Sequence, residues 1–370
     1  MMDQELILTG LALVVFYFLW KRTQRLHIPK DASPELRALL IWNNLRESEK
    51  TISAAEAFLE QNPEDLARRI GILSELGSGE HRDPAKLRLH TLELIKRLPN
   101  AVDVQTANES EFFRNPAYRD EVIEALTAQL GKDLHDAEIH RSLGWILGRA
   151  AIPVEEATTF REWNGLEPDT PLPAKLDAKV LDRAVEHYRT AMELSSERFD
   201  KAAHAQSLAS LLSDAGRFEE AIPAFRIAVE LSAEQDQDCT ELLVDFGKCL
   251  IKVGELSEAK EKLALALKHD TEGLEGGPGC GTTEAETILG HVAFQAKDYK
   301  TAANHLIRST EVQQYSHSTT RGFPTYLAEE LIAHEPQAVA DFCETVLKEF
   351  TPGDSDIEEL RTTATAKLKA

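Results

Sequence analysis

Cysteine is scarce in this sequence. Cys239, Cys249, Cys280 and Cys343 are dispersed, with no CxxC pair and no zinc-ribbon spacing. That excludes the dense disulfide framework of a small secreted domain and fits a reduced compartment. Aromatics are also few, 6% of 370 residues, while Ala and Leu abound. Such a composition suits stacked helices better than sheets of β-branched and aromatic side chains. Basic charge is short: 41 Lys and Arg against 63 Asp and Glu leave a formal net charge of −22. The body therefore has no surplus of cations to hold a phosphate backbone, and nucleic acid is not an expected partner.

Signatures of chemistry are missing as well. The sequence has no P-loop, GxSxG elbow or HExxH site. Its glycine-rich stretch, Gly273 to Gly281, has no strand before it and no GK[ST] ending, so it reads as a loop between helices. His135 and His140 are five apart and fall off a common helix face, while His291 and His305 belong to different helical patterns without a thiol or carboxylate at ligand spacing. The doublets Glu155-Glu156, Glu219-Glu220 and Glu329-Glu330 fit solvated helix faces and first turns. Cys249 adjoins the packing residue Leu250 and reads as a buried thiol. No cofactor, metal or small-molecule substrate is expected.

What the sequence does contain is repetition. AHAQSLASLLSDAGRFEEAIPAFRIAVELS (Ala203 to Ser232), TELLVDFGKCLIKVGELSEAKEKLALALKHD (Thr240 to Asp270) and TEAETILGHVAFQAKDYKTAANHLIRS (Thr283 to Ser309) share one order of large and small residues. Leu208, Ala209, Leu212, Gly216, Phe218, Ala221, Phe225 and Ala228 set it. Phe246, Gly247, Leu250, Gly254, Leu256, Ala259, Leu263 and Ala266 repeat it, as do Leu289, Gly290, Ala293, Lys297, Tyr299, Ala302, Leu306 and Ser309, with Lys297 in the place of the turn glycine. The pattern resembles the tetratricopeptide repeat (TPR), a helix-turn-helix unit whose small positions let two helices cross closely. The resemblance implies an all-α fold, a right-handed α-solenoid of antiparallel helix pairs.

The array extends over 137–316. Its copies are 137–201, split by an insertion at about 149–176, then 202–235, 240–273 and 283–316. The split copy carries Leu143, Gly144 and Leu147 in its first helix and Ala184, Tyr188 and Ala191 in its second. Residues 31–136 form divergent helical repeats. Among them PEDLARRIGILSELG and PAKLRLHTLELIKRLP pair through Ile70-Gly71 and through Ala85, Leu89 and Leu92. Residues 317–370 form a C-terminal cap, ending in a polar helix from Asp356.

Residues 1–30 stand apart as a transmembrane anchor and basic flank. Leu6 to Trp20, LILTGLALVVFYFLW, is apolar on every side, with Leu6, Leu11, Val14, Val15, Phe16, Phe18 and Trp20 among the anchor residues and Tyr17 and Trp20 placed in the interface. Fifteen residues reach about 22 Å as a helix against about 30 Å of hydrocarbon, so snorkelling Lys21 and Arg22 extend the span. A cleaved signal peptide competes with this reading; the acidic start MMDQE and the lack of an A-x-A site speak against it. Asp3 and Glu5 precede the segment and Lys21, Arg22, Arg25 and Lys30 follow it, which orients the body toward the cytoplasm. An anchor before cytoplasmic repeats is similar to the lipopolysaccharide-assembly type of the family, but residues 317–370 contain only Cys343 and no cysteine-rich metal-binding tail.

TPR arrays imply a groove on their first helices for a peptide or partner helix. Carried onto this chain, the groove residues are Arg141 and Trp145, then Gln206, Ser210 and Arg217, then Lys248 and Lys252, then His291, Phe294 and Gln295. Such a mildly basic, aromatic groove would draw an acidic or amphipathic segment. The clamp for a terminal carboxylate is not implied, because Gln206, Ser210 and Val244 stand where the family places Lys and Asn. The expected function is a membrane-tethered, non-enzymatic scaffold or adaptor for a protein or peptide partner. Two alternatives stay open: the same scaffold exported after signal-peptide cleavage into an envelope assembly, and an enzyme or metalloprotein with its site in the insertion or the C-terminal helices.

Overall fold

Side-chain caps fix where the helices begin. Thr51, Asp83, Asn115 and Asp136 each accept backbone N–H bonds from the first turn of the helix that follows, at 3.0 to 3.3 Å, and Pro84 and Pro116 occupy first helical positions, where no N–H is needed. The computed structural model describes residues 51–77, 83–98, 115–152, 175–233, 239–272, 280–311 and 325–369, together with Arg37, Ala38, Ile41, Trp42, Leu45 and Phe112. The described residues form helices and no strands. The chain divides into two units, Met1–Ala184 and Val185–Ala370.

The first unit contains α1 (Ile52–Gln61), α2 (Leu66–Gly77), α3 (Pro84–Ile95), α4 (Pro116–Leu130) and α5 (Ala137–Ala151). Each packs on the next in chain order, around a core that includes Ala55, Ile70, Leu73, Leu87, Leu94, Val122, Leu126, Ile139 and Ile146. Gly71 is the close-approach position, since a Cβ there would run into the Trp42 indole. In α3 the buried face differs from the expected one. Leu89 is 57% exposed, Ala85 is exposed and Leu92 is half-buried, whereas Leu87, His90, Thr91, Leu94 and Ile95 point inward. The i, i+3, i+4, i+7 stripe through Leu87 was concealed because two of its members are polar.

The split repeat is bridged across its insertion. The Asp177 N–H donates to the Ala151 carbonyl at 2.9 Å, joining the end of α5 to the start of α6 (Ala178–Leu194), and Asp177 Oδ1 then caps α6. The intervening insertion, from 153 to 174, lies outside the described residues.

The second unit holds α7 (Arg198–Asp214), α8 (Phe218–Ala233), α9 (Thr240–Val253), α10 (Leu256–Glu272), α11 (Cys280–Gln295), α12 (Tyr299–Arg308), α13 (Tyr326–Leu331), α14 (Pro336–Glu349) and α15 (Ser355–Lys369). The three repeated stretches become three helix pairs joined by one kind of turn. Gly216, Gly254 and Lys297 have φ of 73°, 84° and 62°. The residue after each donates its N–H five residues back: Arg217 to Leu212, Glu255 to Leu250 and Asp298 to Ala293, at 2.8, 2.9 and 3.0 Å. This left-handed turn satisfies the carbonyls left over at a helix end. Consecutive helices pack together, and α7, α9, α11 and α13 also touch one another in sequence. The first helices of the pairs thus share one layer. Phe225 on α8 stacks on Phe246 on α9, centroids 5.4 Å apart, which seals one pair against the next. At the end, α15 buries Ile357, Leu360 and Ala364 and leaves its other faces to solvent, as a cap does.

Among the described residues no helix is long and apolar enough to cross a membrane. The anchor expected over Leu6 to Trp20 lies outside the described residues.

Candidate partner-binding face

The layer of first helices in the second unit presents a row of polar side chains that bridge from helix to helix. Lys248 on α9 places Nζ 3.1 Å from Asp245 Oδ1, one turn earlier, and 2.5 Å from Glu284 Oε1 on α11. His291, two turns along α11, donates from Nδ1 to Glu330 Oε2 on α13 at 2.9 Å and accepts from the Gln295 amide at Nε2, also at 2.9 Å. The Tyr326 ring stands edge-on to His291 with centroids 5.8 Å apart and is 44% exposed. The row exists because α9, α11 and α13 are neighbours in one layer and the residues outside it are mostly buried.

Charge along this row is paired. Burial lowers the Lys248 pKa, but Asp245 and Glu284 outweigh it and hold the ammonium above its ordinary value. Burial and the Glu284 carboxylate push the Tyr326 phenol up. A basic groove was the expectation; at Lys248 the positive charge is already matched by two carboxylates. Lys252 remains exposed at the end of the same helix.

The other expected groove residues are placed differently. Phe294 joins Tyr299 and His334 in an aromatic trio at the α11–α12 turn, with Tyr299 and His334 stacked at 3.7 Å, so its ring serves packing there. Arg217 makes a two-pronged pair with Glu220 at 2.6 and 2.7 Å. Gln206 is exposed and Ser210 half-buried on α7. In the first unit, Arg141 pairs with Glu138 at 2.7 Å. Trp145 is half-buried against the core, edge-on to Phe112 at 6.5 Å. Glu284, Tyr326 and Glu330 complete the row and were missed from sequence, because pairing between first helices depends on the register of one repeat against the next.

His291 and Glu330 resemble part of a catalytic relay, but Nε2 faces an amide instead of a hydroxyl or thiol. Burial pushes the Cys249 and Cys343 thiols up to about 11, so both stay protonated and unreactive near neutral pH. Among the described residues no group of three or more His, Cys, Asp or Glu side chains is arranged to hold a metal ion.

No family model matches the sequence, and no curated protein matches it. Solved structures do show similarity. YrrB, "a TPR protein with an unusual peptide-binding site", aligns at 18% identity over 71% of this chain and 94% of its own, with a TM-score of 0.37. BtubC from P. vanneervenii aligns at 14% identity over 70% and 92%, TM-score 0.42. The Cut9–Hcn1 hetero-tetramer of the APC/C aligns at 16% identity over 90% of this chain and 56% of that one, TM-score 0.39. The helix-pair architecture rests on the turns and packing described above, which these overlaps accompany.

Proposed function

We propose that this chain is a non-enzymatic scaffold that holds a peptide or helix of a partner protein against the layer formed by α7, α9, α11 and α13. The observation that carries the reading is the bridged row from Lys248 through Glu284, Tyr326 and His291 to Glu330, side chains already held together on one helical face. We further propose that Leu6 to Trp20 tethers the scaffold to a membrane with its body in the cytoplasm, supported by the apolar run and the flanking charges. Tethering raises the local concentration of whatever the face holds.

A photo-crosslinking residue in place of Tyr326, in the full chain in its native membranes, should capture one discrete protein. The same residue in place of Leu368, on the cap, should not. Equal capture at both positions refutes the face assignment. N-terminal sequencing of the mature chain tests the tether separately, since a start beyond residue 20 means an exported, cleaved form.

A further inference from the structure

Two buried groups in the first unit take no part in the proposed binding face. Arg69 on α2 is 5% exposed and His90 on α3 is 4% exposed. The Arg69 guanidinium, which can only donate, places Nη1 3.3 Å from His90 Nδ1 and gives Nη2 to the Pro63 carbonyl at 3.0 Å. Nδ1 therefore accepts, and the ring is the neutral tautomer with its proton on Nε2. That nitrogen is buried without a hydrogen-bond partner, 3.6 Å from Glu56 Oε1 on α1. Glu56 is already engaged by Lys86 at 2.6 Å through its other oxygen. From α4, Glu121 reaches α3 at Arg88.

We propose that the His90–Arg69 contact is an acid-sensitive latch on the α1–α2–α3 layer: proton uptake by His90 loosens this layer. A second proton on the ring would sit on Nδ1 and point at the Arg69 Nη1 donor, setting donor against donor and cation against cation where water cannot screen them. Glu56 offers incomplete relief, because Lys86 already draws on its charge. The sign follows. Burial, then Arg69, hold the folded His90 pKa below its ordinary value, so the opened layer binds the proton more readily than the closed one. Closure is favoured at neutral pH and weakens as pH falls through about 6.5.

Hydrogen exchange on the full chain from pH 7.5 to 5.0, corrected for intrinsic rates, tests this. The opening constant of α2 and α3 amides should rise by up to about tenfold per pH unit below 6.5, the limit for one proton. His90→Asn puts an amide oxygen near the Nδ1 position and removes the titration, so its α2 and α3 opening should be flat over that range. A flat wild-type profile overturns the latch, as does an equally steep His90→Asn profile. Should His90→Asn fail to fold, a nitrogen-15 NMR titration of the wild-type ring decides. A ring with Nδ1 protonated at pH 7.5, or titrating at or above 6.5, overturns the proposal; an unprotonated Nδ1 with a lower midpoint supports it.

Discussion

At Lys297 a side chain occupies backbone that favours glycine. Gly216 and Gly254 adopt the same left-handed turn without a Cβ to strain, whereas an L-residue there costs about 1 kcal/mol. Lys297→Gly should therefore stabilise the second unit by about 0.5 kcal/mol, after the entropy glycine adds to the unfolded chain. Gly254→Ala should destabilise it by about 1 kcal/mol. Chemical denaturation at unchanged m-value reads both, and a destabilised Lys297→Gly would show that the lysine side chain contributes something the turn alone does not. Glu286 is a second informative residue. It stands 2.5 Å from His305 Nδ1 and pairs with Arg308 Nε at 3.0 Å, with its own side chain 8% exposed. Burial acts to raise its pKa, but hydrogen bonds from His305 and Arg308 outweigh that and leave the carboxyl below its ordinary value. Its stabilising contribution is therefore complete above about pH 4.3 and declines as pH falls further. Glu286→Ala should cost about 2 kcal/mol at pH 7. The same substitution measured near pH 3 should cost less.

Between elements, the small positions of the repeats are unequal in what they tolerate. A Cβ on Gly247 of α9 would meet Leu263 Cγ and Cδ2 at 2.8 Å, so its three nearest atoms all belong to one side chain. A Cβ on Gly290 of α11 would run into Leu327 on α13, and would meet His305 Cβ at 3.1 Å and the Ala302 carbonyl oxygen at 3.3 Å on α12. Alanine gains about 1 kcal/mol of helix propensity over glycine, and overpacking costs about 1–3 kcal/mol. Gly247→Ala should thus come out near neutral and Gly290→Ala destabilising by about 1–2 kcal/mol, both read from denaturation midpoints. Comparable losses at the two sites would show that Leu263 has no room to move. The sequence made this hierarchy visible only in part. Large and small residues at helical spacing revealed the pairs from Ala203 onward, and even the turn position of Lys297, because apolar periodicity records packing within a pair. It said little where the inward face is polar, as at Arg69, His90 and Thr91. It also could not pair Lys248 with Glu284 or His291 with Glu330, since those contacts depend on how far one pair is shifted against the next.

For the second unit as a whole, stability should behave as a chain of neighbours. Each pair touches the one before and the one after, and the last apolar surface, on α14, is covered by α15. Val339, Phe342, Cys343 and Val346 share a core with Ile357, Leu360 and Ala364. Truncation before Ser355 leaves the α14 side chains facing water, and each large apolar residue so exposed costs about 1.5–3 kcal/mol. In a structure held by nearest-neighbour contacts that loss is not shared evenly. Amide protection should fall most in α13 and α14, less in α11 and α12, and least in α7 and α8. Hydrogen exchange of the truncated chain against the full chain measures the gradient. A uniform fall from α7 to α14 would mean that the unit opens as a single cooperative body, with the repeated turns marking its geometry but not its energetics.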